Sequence, residues 1–147
     1  MHIQIVAYKS ALYDEMTDRR EDWLRKPIGL TRADFRIQEE EKEIHIAAID
    51  AGRVVGVLVL QPQKDQSVKM RQVAVDPKRR GQGIGRALLL FAEAHAKKGG
   101  FLVMTCHARE TAVSFYEKHG YQTVSHPFEE VGLPHVRMEK RLSDPFL

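Results

Sequence analysis

The chain has 147 residues, 43% hydrophobic and 29% charged, with a formal net charge of +3, the composition of one soluble globular domain over 1–147 with length enough for a sizeable core. The small basic excess suits a phosphorylated small ligand or a plain solvated surface, and argues only weakly for nucleic acid as a partner. A single cysteine, Cys106, excludes a disulfide framework and a multi-cysteine metal site, and no apolar run approaches the length of a membrane span.

The opening MHIQIVAY is too short for the apolar part of a signal peptide and has no basic flank, which predicts a cytoplasmic protein. His2 to Tyr8 alternates apolar and polar residues, as a half-buried strand does. Leu12, Met16, Trp23 and Leu24 are spaced for a helix over 11–24, which Pro27 and Gly29 end. A second, short helix is expected over Ala33–Gln38, and the run EEEKE at Glu39–Glu43 reads as a solvated face or loop. Three strands follow, Glu43–Ile49, Val54–Leu60 and Val68–Val75, close enough in sequence to be joined as hairpins. Asp76-Pro77 stops the third.

Beyond that point the period changes. Ile84, Ala87, Leu88, Phe91, Ala92 and His95 recur at helical spacing, and Gly99-Gly100 ends the helix. Phe101–Cys106 is a continuous apolar strand expected to be buried on both faces, and Arg109–His119 a further helix stopped by Gly120. Tyr121–Ser125 and His135–Lys140 close the chain as strands with a connection over Phe128–Pro134. The order β-α-α-β-β-β-α-β-α-β-β defines an α+β fold, a mixed and largely antiparallel sheet flanked by helices.

The segment RRGQGIGRALLLF, Arg79–Phe91, places glycines at 81, 83 and 85 directly before a helix. It lacks the Gly-Lys-Ser/Thr of an ATP-type phosphate loop, since Gly85 is followed by Arg86. It also fails the dinucleotide fingerprint, whose third glycine would fall on Arg86 or Leu88. Free backbone N–H groups at a helix N-terminus, with Lys78, Arg79, Arg80 and Arg86 beside them, suit a pyrophosphate. A tight turn with its arginines in solvent uses the same residues.

Arg80-Gly81-Gln82-Gly83-Ile84-Gly85 resembles the Gln/Arg-x-x-Gly-x-Gly/Ala motif of the GNAT superfamily of acetyl-CoA-dependent N-acyltransferases. Val73-Ala74-Val75-Asp76-Pro77 before it resembles the strand and turn that lead into that loop. Ala112 to Tyr121, AVSFYEKHGY, is similar to the family's second signature, A-x-x-F-Y-x-x-x-G-F/Y. The resemblance implies two strands, Val68–Val75 and Phe101–Cys106, that splay into a wedge for the pantetheine arm of acetyl-CoA. It implies donor binding by Val73, Ala74 and Val75 and by Arg80, Gly81, Gln82, Gly83, Ile84, Gly85 and Arg86. An N–H of the strand, that of Val75, would polarise the thioester, and Tyr116 would protonate the departing thiolate. Tyr116 also reads as an ordinary half-buried tyrosine beside Phe115.

Arg109 stands where the family often has asparagine, and either meets a phosphate or carbonyl of CoA or lies on the surface. The strand Val68–Val75 lacks the glutamate that serves as base in related enzymes; its polar residues are Lys69, Arg71 and Gln72. Phe128 to Met138, FEEVGLPHVRM, is similar to F-x-E-x-G-x-P-H-x-x-M in a branch of small GNAT proteins. That points Glu130 and His135 at the acceptor site as groups able to attract and deprotonate an amine. Both also have ordinary structural readings, Glu130 capping the loop and His135 bonding within the sheet. None of the seven histidines has metal-ligand spacing, so no metal is expected. Cys106 reads as a buried small hydrophobe.

Three functions compete. The first is an enzyme that transfers acetyl from acetyl-CoA to a primary amine of a small molecule or peptide, directly and in a ternary complex. The second is a non-catalytic sensor of CoA or acyl-CoA. Nucleic-acid binding ranks last, and no membrane partner is expected. Homodimers are common in the family, but nothing in the sequence establishes one.

Overall fold

A computed structural model describes residues 1–30 and 37–142. Eight strands form one sheet: β1 (His2–Val6), β2 (Ile44–Asp50), β3 (Arg53–Pro62), β4 (Ser67–Val75), β5 (Val103–Arg109), β6 (Gln122–Thr123), β7 (Phe128–Glu130) and β8 (Leu133–Arg141). Their order is β1-β2-β3-β4-β5-β8-β6, with β7 also paired to β8. Every pairing is antiparallel except β4 with β5. Three α-helices, α1 (Ala11–Arg20), α2 (Ile84–Lys98) and α3 (Val113–Lys118), complete the α+β architecture read from the sequence.

The sheet has two covered faces. On one, the apolar stripe of α2, including Ile84, Leu88, Leu89 and Ala92, packs on Leu58, Met70, Met104 and Met138. On the other, Tyr13 and Met16 of α1 meet Val6, Ala47 and Val57. Alternation along β5 sends Met104, Cys106 and Ala108 into the α2-side core. It therefore turns Thr105, His107 and Arg109 to the α1 side.

The break in the sheet lies between β4 and β5. Their parallel pairing runs only from Ser67 with Val103 to Met70 with Cys106, and beyond it the strands part. β4 also carries a bulge: its register with β3 jumps from Val59 opposite Arg71 to Val57 opposite Ala74. Gln72 lies at the bulge with a left-handed φ of 55°, one extra residue that bends the strand.

Several expectations are corrected. The first helix is shorter than 11–24: regular α-helix ends at Arg20, a π-type turn covers Glu21–Arg25, and a 3-10 turn follows over Lys26–Ile28. The helix expected over 33–38 falls mainly outside the described residues. Arg109 belongs to β5, and α3 begins only at Val113 after a 3-10 turn. The connection expected over Phe128–Pro134 contains β7 and the hairpin turn into β8. Nor is β5 buried on both faces, because half of one face opens onto the gap beside β4.

The acidic run at Glu39–Glu43 is not all solvated. Glu40 is buried and receives Arg20 Nη1 and Nη2 at 2.6 and 3.1 Å, the Tyr13 hydroxyl at 3.0 Å and Arg71 Nη1 at 3.2 Å. Arg71 Nη1 also donates to both oxygens of Glu43 at 2.7 and 2.8 Å. Two arginines and two glutamates thus balance one another inside the protein, where an unpaired charge would be costly. Burial drives the Glu40 carboxyl up, but the hydrogen bond and charge of Arg20, with His45 and Tyr13 assisting, outweigh it and hold the group below its usual value. Burial and the same carboxylate push the Tyr13 phenol up to about 12.

Candidate active site

The parting of β4 from β5 opens a cleft of about 840 Å³. Val73, Val75, Arg80, Gly85 and Tyr116 line it from the α2 side, and Arg109, Glu130 and His135 line it as well. A second recess of about 290 Å³ adjoins it at the glycine loop, lined by Gly81, Gly83, Ile84 and Arg86 among others. Gln82 is exposed and lines neither.

The loop is built for close approach. Gly81 and Gly83 have φ of 80° and 79°, and a Cβ at either would meet nothing within 4 Å. They are glycines because of backbone conformation, and the space beside them is open. Gly83 is the N-cap of α2 and supplies no capping side chain. The first intrahelical bond is Ala87 N–H to the Gly83 carbonyl at 3.0 Å. The N–H groups of Ile84, Gly85 and Arg86 are therefore left for an anion at the positive end of the helix. Ile84 contributes only backbone, its side chain being in the core. Arg79 is corrected: its guanidinium is held 2.6 Å from Asp50, pulling that carboxyl below its usual value, and fastens the loop to the sheet.

Asp76 N–H donates to the Val55 carbonyl at 2.9 Å. Alternation along an antiparallel ladder then directs the N–H of Val75 away from β3, into the gap beside β5. The start of α2 lies against β4: a Cβ at Gly85 would make ordinary contacts, 3.7 Å from Val75 Cγ2 and 3.5 Å from Phe115 Cζ.

Tyr116 is 7% exposed and stacks edge-on with Phe115 and Tyr121 at centroid distances of 5.3 and 5.5 Å. Burial pushes its phenol well above the usual value, so it stays protonated and able to donate. The neighbouring Tyr121 hydroxyl is occupied by Glu93 at 2.7 Å, whereas Tyr116 borders the cleft. Cys106 is buried, and burial raises its thiol to about 12; such a thiol is no nucleophile.

On the α1 side the β7–β8 hairpin brings three groups together. His107 Nδ1–H donates to Glu130 Oε1 at 2.9 Å, and His135 Nε2 lies 3.7 Å from Glu130 Oε2. His135 Nδ1–H donates to the Leu133 carbonyl at 2.8 Å, so Nε2 faces the carboxylate. Burial works to raise the Glu130 carboxyl, but the hydrogen bond and charge of His107, then His135 and Lys69, hold it below its usual value. Arg109 reaches across the cleft, Nη2 to the Leu24 carbonyl at 3.4 Å.

His107 is the group that sequence reading missed. Its signal was parity: one residue past the core Cys106, it must face the other side of β5. Gln72 is a second: its Oε1 is buried with no hydrogen-bond partner among the described residues, on the bulge that lines the cleft.

The splayed strands, the glycine cradle at an uncapped helix and the phenol on α3 define an acetyltransferase architecture, and the chain belongs to the acetyltransferase (GNAT) domain family, which it matches over residues 12–142. It is 34% identical over 110 residues to an uncharacterized N-acetyltransferase, YjcF, of Bacillus subtilis, covering 74% of this chain and 78% of that one. A structure from Lactobacillus plantarum assigned to the N-acetyltransferases superposes with a TM-score of 0.86 at 27% identity, over 97% of this chain and 100% of that one. An aminoglycoside 6'-N-acetyltransferase solved with coenzyme A shares the fold, with a TM-score of 0.81 at 20% identity over 98% of each chain. Among the described residues no helix is long and apolar enough to cross a membrane.

Proposed function

We propose that this protein transfers the acetyl group of acetyl-CoA to a primary amine in one step, with both substrates bound together. The observation that carries the reading is a single cleft running through the sheet, with the glycine loop and Tyr116 on the α2 side and Glu130, His107 and His135 on the α1 side. The loop N–H groups, with Arg80 and Arg86, suit the pyrophosphate, and Val73 and Val75 the pantetheine arm.

The Val75 N–H donates to the thioester oxygen as negative charge grows there. Glu130, oriented by His107 and flanked by His135, receives the proton of the incoming ammonium. The amine nitrogen bonds to the acetyl carbon as the carbon–sulfur bond breaks, Tyr116 gives its proton to the departing thiolate, and the second proton shed by the acylated nitrogen passes through solvent as Tyr116 is reprotonated, leaving the amide and CoA thiol. Burial of Cys106 supports direct transfer, because it removes the one thiol in the cleft wall as an acetyl carrier.

The test follows thiol release from acetyl-CoA with a panel of amines, and the mass of the protein after acetyl-CoA alone. Release dependent on an amine, with intersecting initial-rate lines and no added acetyl mass, is expected. Saturable CoA binding without release for any amine would replace the enzyme by a sensor. A stable acetyl adduct would overturn direct transfer.

A further inference from the structure

The α1 mouth of the cleft has an unequal balance of charge. Among the described residues Arg25, Lys69, Arg71 and Arg109 line it, against one lining carboxylate, Glu130. Arg71 is bonded to Glu40 and Glu43. Glu130 is already bonded to His107 and faces His135. An acceptor with several ammonium groups, such as a polyamine or an aminoglycoside, requires several carboxylates to replace its water. The likeness to the aminoglycoside enzyme is a likeness of fold.

Arg109 differs from its neighbours. It meets no carboxylate among the described residues, and its one hydrogen bond goes to a neutral carbonyl at 3.4 Å, near the limit of such a bond. It is the residue directly opposite His135 across the β5–β8 pair, so the two side chains leave one face from Cα atoms about 4.5–5.5 Å apart. His135 Nε2 in turn lies 3.7 Å from Glu130 Oε2. A group that attracts an ammonium and a two-pronged cation that matches a carboxylate therefore stand side by side, on the face away from the glycine loop.

Resting on the acetyltransferase reading above, we infer that the acceptor is an amine carrying a carboxylate a few bonds from its nitrogen, a free amino acid in the simplest form. Glu130 with His135 receives the ammonium, and Arg109 leaves the Leu24 carbonyl to take the carboxylate through both guanidinium nitrogens. This places Arg109 with the acceptor, where the sequence had left it between a contact with CoA and the surface.

The experiment compares amino acids with their own carboxamides, a linear triamine and an aminoglycoside, by thiol release with the full chain. Each acid is expected to exceed its carboxamide in kcat/KM by about tenfold or more, since a charged site is left unpaired by the neutral analogue. R109Q should abolish that ratio, R109K should keep part of it, and neither should move KM for acetyl-CoA. Equal rates for acid and amide, preference for a polycation, or an R109Q effect confined to acetyl-CoA each overturns the inference and leaves the enzyme reading standing. Release from no amine at all overturns both. The acid-to-amide ratio of the unmodified protein decides the matter even where R109Q does not fold.

Discussion

Replacing Glu40 by glutamine tests what holds the α1 side of the sheet in place. The carboxylate is 1% exposed and accepts from Arg20 twice, from Tyr13 and from Arg71. Glutamine keeps the volume, deletes the charge and turns an N–H2 toward groups that are all donors. Arg20, itself 0% exposed, loses the carboxylate that accepts from both its Nη atoms. Breaking one partner of such a pair costs about 3–5 kcal/mol, a large part of a total stability of about 5–15 kcal/mol. At about 2–4 °C per kcal/mol, the melting temperature should fall by about 6–20 °C. The folded Glu40 carboxyl lies below its usual value, so its contribution is complete above the unfolded pKa and is lost as pH falls through the folded one. The gap between the native protein and E40Q should therefore narrow on acidification. Thermal melts of both proteins across that range measure it. A fall of less than about 2 °C at neutral pH, or a gap that does not change with pH, would falsify the ion-pair account of this face.

Gly56→Ala should cost about 1–3 kcal/mol by overpacking, because the new Cβ would stand 2.8 Å from Leu88 Cδ1 and 3.0 Å from Ile84 Cγ2, both buried. Since Ile84 opens α2, calorimetric titration should show weaker CoA binding along with the lower melting point. Tyr116→Phe should lower kcat about 100-fold or more and leave CoA affinity unchanged; equal loss in both would make the tyrosine structural. Cys106, its thiol raised to about 12, should resist alkylation in the folded protein at mildly alkaline pH and react on denaturation, as read by mass. Rapid labelling of the folded chain would reopen its exclusion as a nucleophile.

What the sequence disclosed and what it withheld divide along a physical line. The glycine loop was legible because its requirement is local: Gly81 and Gly83 adopt φ values that other residues rarely hold. The long strand β3 announced itself by its β-branched run, and β4 by the Asp76-Pro77 stop that ends it. Hairpin β7–β8 did not, because its two-residue turn is made by Val131 and Gly132 at φ of 48° and 75°, and valine is a poor signal for a turn needing positive φ twice. Glu40 and Glu43 were invisible as core residues since their partners Arg20 and Arg71 lie 20 to 31 positions away. Local polarity patterns cannot report a pairing that only tertiary structure creates.

The bulge at Gln72 links the two halves of the site. Before it, Val68 and Met70 face α2; without an inserted residue Val73 and Val75 would face α1 by simple alternation. After it, they pack with the α2-side core, and Ala74 turns to the cluster under α1. One residue thus puts Val75 against Gly85 at the start of α2 while leaving Lys69 and Arg71 on the opposite face. On the proposed function, the donor half is made chiefly of backbone: N–H groups of the loop, of the helix end and of Val75. The acceptor half is made of side chains, His107 and Arg109 from β5 and Glu130 and His135 from the hairpin, and their arrangement follows from strand parity and cross-strand register. On the proposed function such a half sets the choice of acceptor, and fold likeness to an aminoglycoside enzyme does not transfer to it.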